Sequence, residues 1–209
     1  MRDTIVRHAG FDRAVHWLIA FCMFVLLATA FLPILGVDFS WVTVHWSVGL
    51  GMIALVLLHI ARSLLAKRVR RIWISRRDIR DAVTIARQNL RLASGAAPKP
   101  GKFSFAQKLI HLAFAIVVLA SSVTGAIMTA KMDTPWWDAN TYWLSDESWG
   151  LVYVIHGFSA LLLITMVMTH VYFALRPEKF AYLRAMIVGW ITRAEFEQLH
   201  DPTRWKTDK

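Results

Sequence analysis

Four long apolar stretches restrict what this chain can fold into. They cover about residues 14–32, 44–65, 109–130 and 151–175. A helix needs about 20 mostly apolar residues to cross the hydrocarbon core of a bilayer, so each stretch is long enough for one span. The first stretch follows a basic N-terminus, as in a signal peptide, but it is long for the apolar part of one. We therefore predict an all-α integral membrane protein, a four-helix transmembrane bundle forming a single domain over residues 1–209.

The basic residues lie almost entirely on one side of this four-span arrangement. Of the 24 Lys and Arg residues, 3 precede the first span, 13 lie in residues 62–108 and 7 follow the last span, whereas Lys131 alone lies in the loop 131–150. Loops rich in Lys and Arg stay in the cytoplasm, so both termini and residues 62–108 are predicted to be cytoplasmic. Topology and attraction to anionic membrane lipid account for the formal net charge of +10, and no nucleic-acid partner is expected.

Two shorter cytoplasmic segments have the pattern of amphipathic surface helices. Their apolar residues recur at helical spacing, and they are Ile79, Val83, Ala86 and Leu90 in the loop and Phe180, Leu183, Ile187 and Trp190 in the tail. Such helices lie on a membrane surface with their apolar side towards the lipid. Residues 94–101, SGAAPKPG, are predicted to be an irregular connection.

Six of the eight histidines lie inside the predicted spans, where a polar side chain is costly and needs a partner. They are His16, His45, His59, His111, His156 and His170. His45 and His59 are 14 residues apart, and so are His156 and His170. Fourteen residues of helix rise about 21 Å and return to within about 40° of the same face. Each of these two helices therefore presents one imidazole in each leaflet.

This arrangement favours two haem groups, one above the other across the membrane. Each haem iron takes two axial nitrogens from facing helices. Judged by depth, the outer pair is His45 with His156. The inner partner of His170 is either His16 or His59.

Other uses of membrane histidines fit the sequence less well. Two imidazoles without carboxylate or thiolate ligands bind zinc or copper poorly. The single cysteine, Cys22, allows neither an internal disulfide nor an iron–sulfur site. The predicted spans contain no Asp or Glu, which weakens the alternative of a histidine-using, proton-coupled transporter.

Several short motifs occur in a fixed order along the chain. They are RDTIVRHAGFDRAVHW at residues 2–17, VHWSVG in the second span, GKFSFAQK before the third, IHGFSA and MTHVYFAL in the fourth, and VGWITRAEF and HDPTRW in the tail. In these motifs the sequence resembles the cytochrome b (gamma) subunit of membrane-bound, quinone-reducing formate dehydrogenases. Related cytochromes b serve nickel–iron hydrogenases, thiosulfate reductases and the bacterial b561 group. A hydrogenase or other molybdoenzyme subunit, or a stand-alone b561-type quinone oxidoreductase, therefore remains an alternative.

The resemblance implies an electron-transfer subunit in the bacterial inner membrane. It implies two haem b groups, with His16 and His170 as ligands of the inner one and His45 and His156 as ligands of the outer one. Electrons are then expected from an iron–sulfur beta subunit on the outer face, supplied by a molybdenum- or tungsten-containing catalytic alpha subunit. They are expected to leave to menaquinone or ubiquinone at the cytoplasmic side.

The resemblance also extends to the expected quinone site. Gln107 matches a quinone-site position of the family, whereas Ser104 stands where the family usually has Asn and Ala106 where it usually has Gly. His59 is a further departure from the family. It stays an alternative inner ligand, a spare residue, or a contact of the quinone or a haem propionate.

Three further polar residues near the inner helix ends are candidates for supporting roles. Arg13 and Arg62 suit either the haem propionates or the anchoring of the helices at the membrane surface. His111, one turn from Gln107, is a candidate proton relay to the quinone.

Overall fold

Most of the chain is helical, and four of its helices are long and apolar enough to cross a membrane. The computed structural model describes residues 3–66 and 72–206, and residues 67–71, within the predicted cytoplasmic loop, lie outside that part. In chain order the elements are β1 (Thr4–Val6), α1 (Gly10–Phe31), α2 (Trp41–Leu65), α3 (Arg76–Asn89), α4 (Phe105–Met128), α5 (Asp146–Leu175), α6 (Phe180–Val188), β2 (Trp190–Thr192) and α7 (Arg193–Leu199). The candidate spans are α1, α2, α4 with a 3-10 turn to Lys131, and α5. The predicted four-helix membrane fold is confirmed.

The four long helices begin earlier than their apolar stretches. They start at Gly10, Trp41, Phe105 and Asp146, whereas the hydropathy of the sequence placed the starts at residues 14, 44, 109 and 151. Asp12 lies in the first turn of α1, and Asp146 and Glu147 lie in the first turn of α5. Carboxylates are favourable at helix N-termini because the free N–H groups there carry partial positive charge. These polar first turns belong to the helices although they lower the local hydropathy.

The central parts of the four long helices form one compact unit, residues 14–62 and 114–172. Its buried core consists of Met23, Leu27, Met52 and Leu163, which come from α1, α2 and α5. Phe114 of α4 packs against this core. Only 6–17% of the most apolar window of each long helix is buried within the protein. Such outward-facing apolar surface is what a lipid-embedded helix presents.

A second compact unit comprises residues 1–13, 63–113 and 173–209. In it β1 pairs antiparallel with β2, with Ile5 opposite Ile191. These two isoleucines form a buried core with Ala185 and Phe196, and Trp205 packs against it. The sequence did not predict this small sheet. The helix predicted in the loop is confirmed as α3, although Leu90 lies just beyond its end, and its position on the membrane surface stays a prediction. Residues 94–101 are irregular as predicted.

The predicted tail helix is wrong at its C-terminal end. Helix α6 stops at Val188, and Trp190, predicted to lie on its apolar side, belongs to β2. Gly189 caps the helix at φ +98°, in the left-handed region that favours glycine. A Cβ on Gly189 would also lie 3.1 Å from the His8 carbonyl oxygen. The chain therefore turns at Gly189 and pairs with β1 instead of continuing as a helix.

Candidate functional site

Two pairs of histidines face each other within the unit of residues 14–62 and 114–172. His45 of α2 and His156 of α5 have ring centres 6.2 Å apart, with the ring planes at 73°. His16 of α1 and His170 of α5 have ring centres 6.4 Å apart, with the planes at 58°. Helix α5 thus contributes one histidine to each pair.

Both separations fit an iron ion between two axial imidazoles. An imidazole nitrogen lies about 2 Å from a bound transition metal, and the ring centre is about 1 Å behind it, so two such rings have centres about 6 Å apart. In residues 3–66 and 72–206 no group of three or more His, Cys, Asp or Glu is placed to hold a metal ion. Paired imidazoles without further ligands suit a haem iron, whose porphyrin supplies the other four nitrogens, better than zinc or copper.

At the inner level the structure brings His16 together with His170. The ring of His16 lies against that of His170. His59 of α2 lies near His16 and stays the alternative inner ligand. Trp17 stacks edge-on against His16, at 5.4 Å between ring centres, and Phe114 does so against His170, at 5.8 Å. The ligand roles remain predictions.

Three residues beside the outer pair were missed by the sequence analysis. The Thr29 hydroxyl lies 2.8 Å from Nδ1 of His45, and the Thr124 hydroxyl lies 3.0 Å from Nδ1 of His156. Gly125 adjoins the same ring, since a Cβ there would lie 3.1 Å from Cε1 of His156. The sequence did contain a signal for the two threonines, since each is a hydroxyl residue inside an apolar span at the depth of the outer histidines.

Ser104 and Gln107, the predicted quinone contacts, form a capping box at the start of α4. The main-chain N–H of Ser104 donates to Oε1 of Gln107 at 2.9 Å, and the N–H of Gln107 donates to Oγ of Ser104 at 3.3 Å. These reciprocal bonds satisfy main-chain donors that a helix start leaves free. The Gln107 side-chain NH₂ and the Ser104 hydroxyl hydrogen are not used by them and can still donate to a ligand.

The two candidate arginines lie at helix ends. Arg13, in the first turns of α1, donates from its guanidinium to the carbonyl of Ile187 near the end of α6. Its guanidinium also lies 3.2 Å from where a Cβ on Gly189 would be. Arg62 lies in the last turn of α2. A role of either arginine at a haem propionate stays a prediction, and Arg13 has a structural role in addition.

Comparison with known proteins gives a consistent picture. The family model described as prokaryotic cytochrome b561 matches residues 7–189. A relative from Escherichia coli K12, the formate dehydrogenase cytochrome b556(fdo) subunit, is 28% identical over 98% of this chain and 92% of its own length. The formate dehydrogenase cytochrome b556 subunit of Haemophilus influenzae is 26% identical over 97% of this chain and 83% of its own length. The resemblance predicted from the motifs is confirmed.

Proposed function

Because the chain belongs to the prokaryotic cytochrome b561 family, we propose that it is the membrane cytochrome b subunit of a respiratory formate dehydrogenase. Family membership makes it an integral membrane cytochrome b that binds haem b and transfers electrons. The assignment to formate dehydrogenase is supported by similarity to two such subunits along nearly the whole chain.

The observation that carries the proposal is the pairing of histidines at two levels. His45 with His156 would hold an outer haem b, and His16 with His170 an inner one. Bound haem supplies reversible one-electron chemistry at its iron. The four imidazoles would hold the two haem irons, two imidazoles for each iron, and would fix the positions of the irons.

We propose that electrons enter at the outer haem and leave at the inner one. The relatives are subunits of formate dehydrogenase, so the proposed partners are an iron–sulfur beta subunit on the outer face and a molybdenum- or tungsten-containing alpha subunit. The distribution of Lys and Arg supports a cytoplasmic position for the segments near His16 and His170.

The proposed electron acceptor is menaquinone or ubiquinone at the cytoplasmic side. Reduction of a quinone is helped by hydrogen-bond donors to its carbonyl oxygens and needs a supply of protons. The side-chain NH₂ of Gln107 and the hydroxyl of Ser104 would donate these bonds while their capping bonds stay in place. His111, one turn further along α4, is the proposed relay of protons from the cytoplasm.

The description of the matching family favours one second candidate, a stand-alone b561-type quinone oxidoreductase. Such a protein reduces or oxidises quinone without partner subunits. Purification from the native membrane distinguishes the two candidate functions. Copurification of a molybdenum- or tungsten-containing subunit supports the formate dehydrogenase, whereas an isolated chain that turns over quinone supports the second candidate.

Haem counts in histidine variants test the ligand assignment. The purified wild-type protein should show the Soret and alpha bands of low-spin haem b, with two haems per chain by the pyridine haemochrome assay. His16→Ala should lose the inner haem, His45→Ala the outer one, and His59→Ala should keep both. A protein without these bands would contradict the function, and loss of a haem only in His59→Ala would reverse the inner assignment.

A further inference from the structure

Two buried threonines contact the outer histidine pair through the same local arrangement. Thr29 of α1 is 4% exposed and Thr124 of α4 is 6% exposed. Each hydroxyl lies within 3.0 Å of Nδ1 of one histidine, Thr29 beside His45 and Thr124 beside His156. All four long helices therefore contribute a side chain to the outer site, two with a histidine and two with a threonine.

The main-chain partners of the hydroxyls fix the direction of these hydrogen bonds. Thr29 lies 2.8 Å from the Val25 carbonyl, and Thr124 lies 2.7 Å from the Ala120 carbonyl, each four residues earlier. A hydroxyl has one hydrogen, and a carbonyl can only accept. Each threonine therefore donates to its own helix and accepts from the histidine.

The proton positions of both outer imidazoles follow. Nδ1–H of His45 donates to Thr29 and Nδ1–H of His156 donates to Thr124, so the lone pair of each neutral ring is on Nε2. The Ser121 carbonyl, 3.1 Å from Nδ1 of His156, supports this because it too can only accept.

We propose that Thr29 and Thr124 are positioning residues that fix both outer ligands with Nε2 towards the iron and lower the reduction potential of the outer haem. This inference rests on the proposed function, since it needs a haem at His45 and His156. An acceptor on Nδ1–H increases the basicity of a metal-bound imidazole. A more electron-rich ligand stabilises ferric over ferrous iron, which lowers the potential.

The inner pair has different neighbours. The rings of Trp17 and Phe114 lie against His16 and His170, and aromatic edges do not accept the Nδ1 proton as a hydroxyl oxygen does. The hydroxyl acceptors thus lower the potential of the outer haem selectively. Electron transfer from the outer to the inner haem becomes more favourable, which is the direction of the proposed function.

Gly125 completes the arrangement on the side of His156. A Cβ at this position would lie 3.1 Å from Cε1 and 3.6 Å from Nδ1 of the ring. The contact with Cε1 is tighter than an ordinary van der Waals distance, so Gly125→Ala should displace the ring from Thr124. The adjacent Thr124 and Gly125 together define the place of the His156 ring, one by a hydrogen bond and the other by having no side chain.

Redox titration of the purified complex, followed optically, tests the proposal. In the double variant Thr29→Val with Thr124→Val, the reduction potential of the outer haem should rise by about 59 mV, which is a roughly tenfold shift towards the ferrous form for one electron. Each single variant should raise the potential by less. The inner haem should keep its potential. Thr29→Ser and Thr124→Ser should match the wild type. The control is Thr165→Val, because the Thr165 hydroxyl donates to the Leu161 carbonyl of its own helix, as Thr29 and Thr124 do, but is not beside the outer histidines.

The possible outcomes distinguish this inference from the proposed function. An unchanged outer-haem potential in the double valine variant, with both haems present, overturns the inference and leaves the function intact. If the valine variants lose the outer haem, the serine variants decide. Serine variants that keep the outer haem at the wild-type potential support the inference. Serine variants that also lose the outer haem show that the threonines act through packing, which overturns the inference. A wild-type protein without an outer haem contradicts the proposed function itself.

Discussion

Arg7 carries a positive charge in the interior of the unit formed by residues 1–13, 63–113 and 173–209. Its side chain is 2% exposed, and its guanidinium carbon lies 4.7 Å from the ring centre of Tyr182 and 5.4 Å from that of Trp205. It also donates to Nε2 of His200 at 2.8 Å. Burial lowers the pKa of Arg7 to about 10, partly offset by Tyr182, so the guanidinium stays charged at neutral pH.

His200 makes this interior sensitive to acid. Its Nδ1–H donates to the Gly101 carbonyl at 2.7 Å, which leaves Nε2 to accept from Arg7. Burial, and then the charge of Arg7, lower the pKa of His200 to about 4. A histidine in an unfolded chain has a pKa near 6.5, so between these values the unfolded state binds the extra proton. The stabilisation is therefore complete above about pH 6.5 and is lost as the pH falls towards 4, by at most about 3 kcal/mol.

We expect proteolysis of the tail, residues 190–206, to accelerate between pH 6.5 and pH 4 in the purified protein. The measurement is the cleavage rate in detergent, using a protease whose own pH profile is known. His200→Gln is the matched control, since a glutamine can accept from Arg7 and donate to Gly101 but does not titrate. The same acceleration in His200→Gln as in the wild type would contradict the assignment to His200.

The sequence predicted the histidines of the site but not their supporting residues. The spacing of 14 residues and the depth in the membrane pointed to His45 with His156, and the structure brings these rings together. Depth alone did not decide whether His16 or His59 is the inner partner of His170, because both lie at a similar level in the membrane. Thr29 and Thr124 escaped notice, since a threonine in an apolar helix usually bonds its own backbone. Their contact with histidine depends on the rotation of neighbouring helices, which local sequence does not specify.

Helix α3 is anchored through Asp78 in its first turn. Asp78 accepts hydrogen bonds from the main-chain N–H and the hydroxyl of Ser75, at 2.7 and 2.6 Å, as part of a capping box. It also forms an ion pair with Lys108 of α4 at 2.8 Å, with only 11% and 10% of the two side chains exposed. Burial alone would raise the pKa of Asp78, but the bonds from Lys108 and Ser75 outweigh it and lower the pKa. One carboxylate thus caps α3 and joins it to α4.

Removal of the lysine should loosen α3. In Lys108→Met the buried carboxylate of Asp78 keeps its hydrogen bonds from Ser75 but loses Lys108, which we expect to destabilise the helix by about 1–3 kcal/mol. Amide hydrogen exchange in residues 76–89, followed by mass spectrometry, should then be roughly 10- to 100-fold faster. Glu178→Gln is the control, since it removes the exposed ion pair of Glu178 with Arg176, and exchange in α3 should not change. Unchanged exchange in Lys108→Met would show that the ion pair does not anchor α3.

Elements with a local cause were predictable from sequence, and those that depend on distant contacts were not. The long helices follow from runs of apolar residues. The starts of α3 and α7 follow from Ser75 with Asp78 and Thr192 with Glu195, two further capping boxes. The sheet of β1 and β2 pairs Ile5 with Ile191, at opposite ends of the chain. Strands of three residues have too little pattern to reveal such a pairing.

At the scale of the whole molecule, the charge distribution is the feature that sets orientation. The loop 131–150 contains one basic residue, Lys131, and the acidic residues Asp133, Asp138, Asp146 and Glu147. Lys131 lies 4.5 Å from the ring centre of Trp149 and 5.3 Å from that of Tyr153. Aromatic faces stabilise an ammonium group where it is partly removed from water. The one basic side chain of this loop therefore packs on aromatic rings at the start of α5. The rest of the loop has no basic residue, as expected for the outer side of the membrane.

Single-cysteine labelling in cells tests this orientation. In a Cys22→Ser background, which removes the one native cysteine, a cysteine is placed at the 95% exposed Tyr142 or at the exposed Asn89 of α3. Loops rich in Lys and Arg stay in the cytoplasm, so an impermeant maleimide should label Tyr142→Cys in intact spheroplasts and Asn89→Cys only after lysis. The reverse pattern would place the outer histidine pair in the cytoplasmic leaflet. The proposed direction of electron transfer, and with it the site of quinone reduction, would then be inverted.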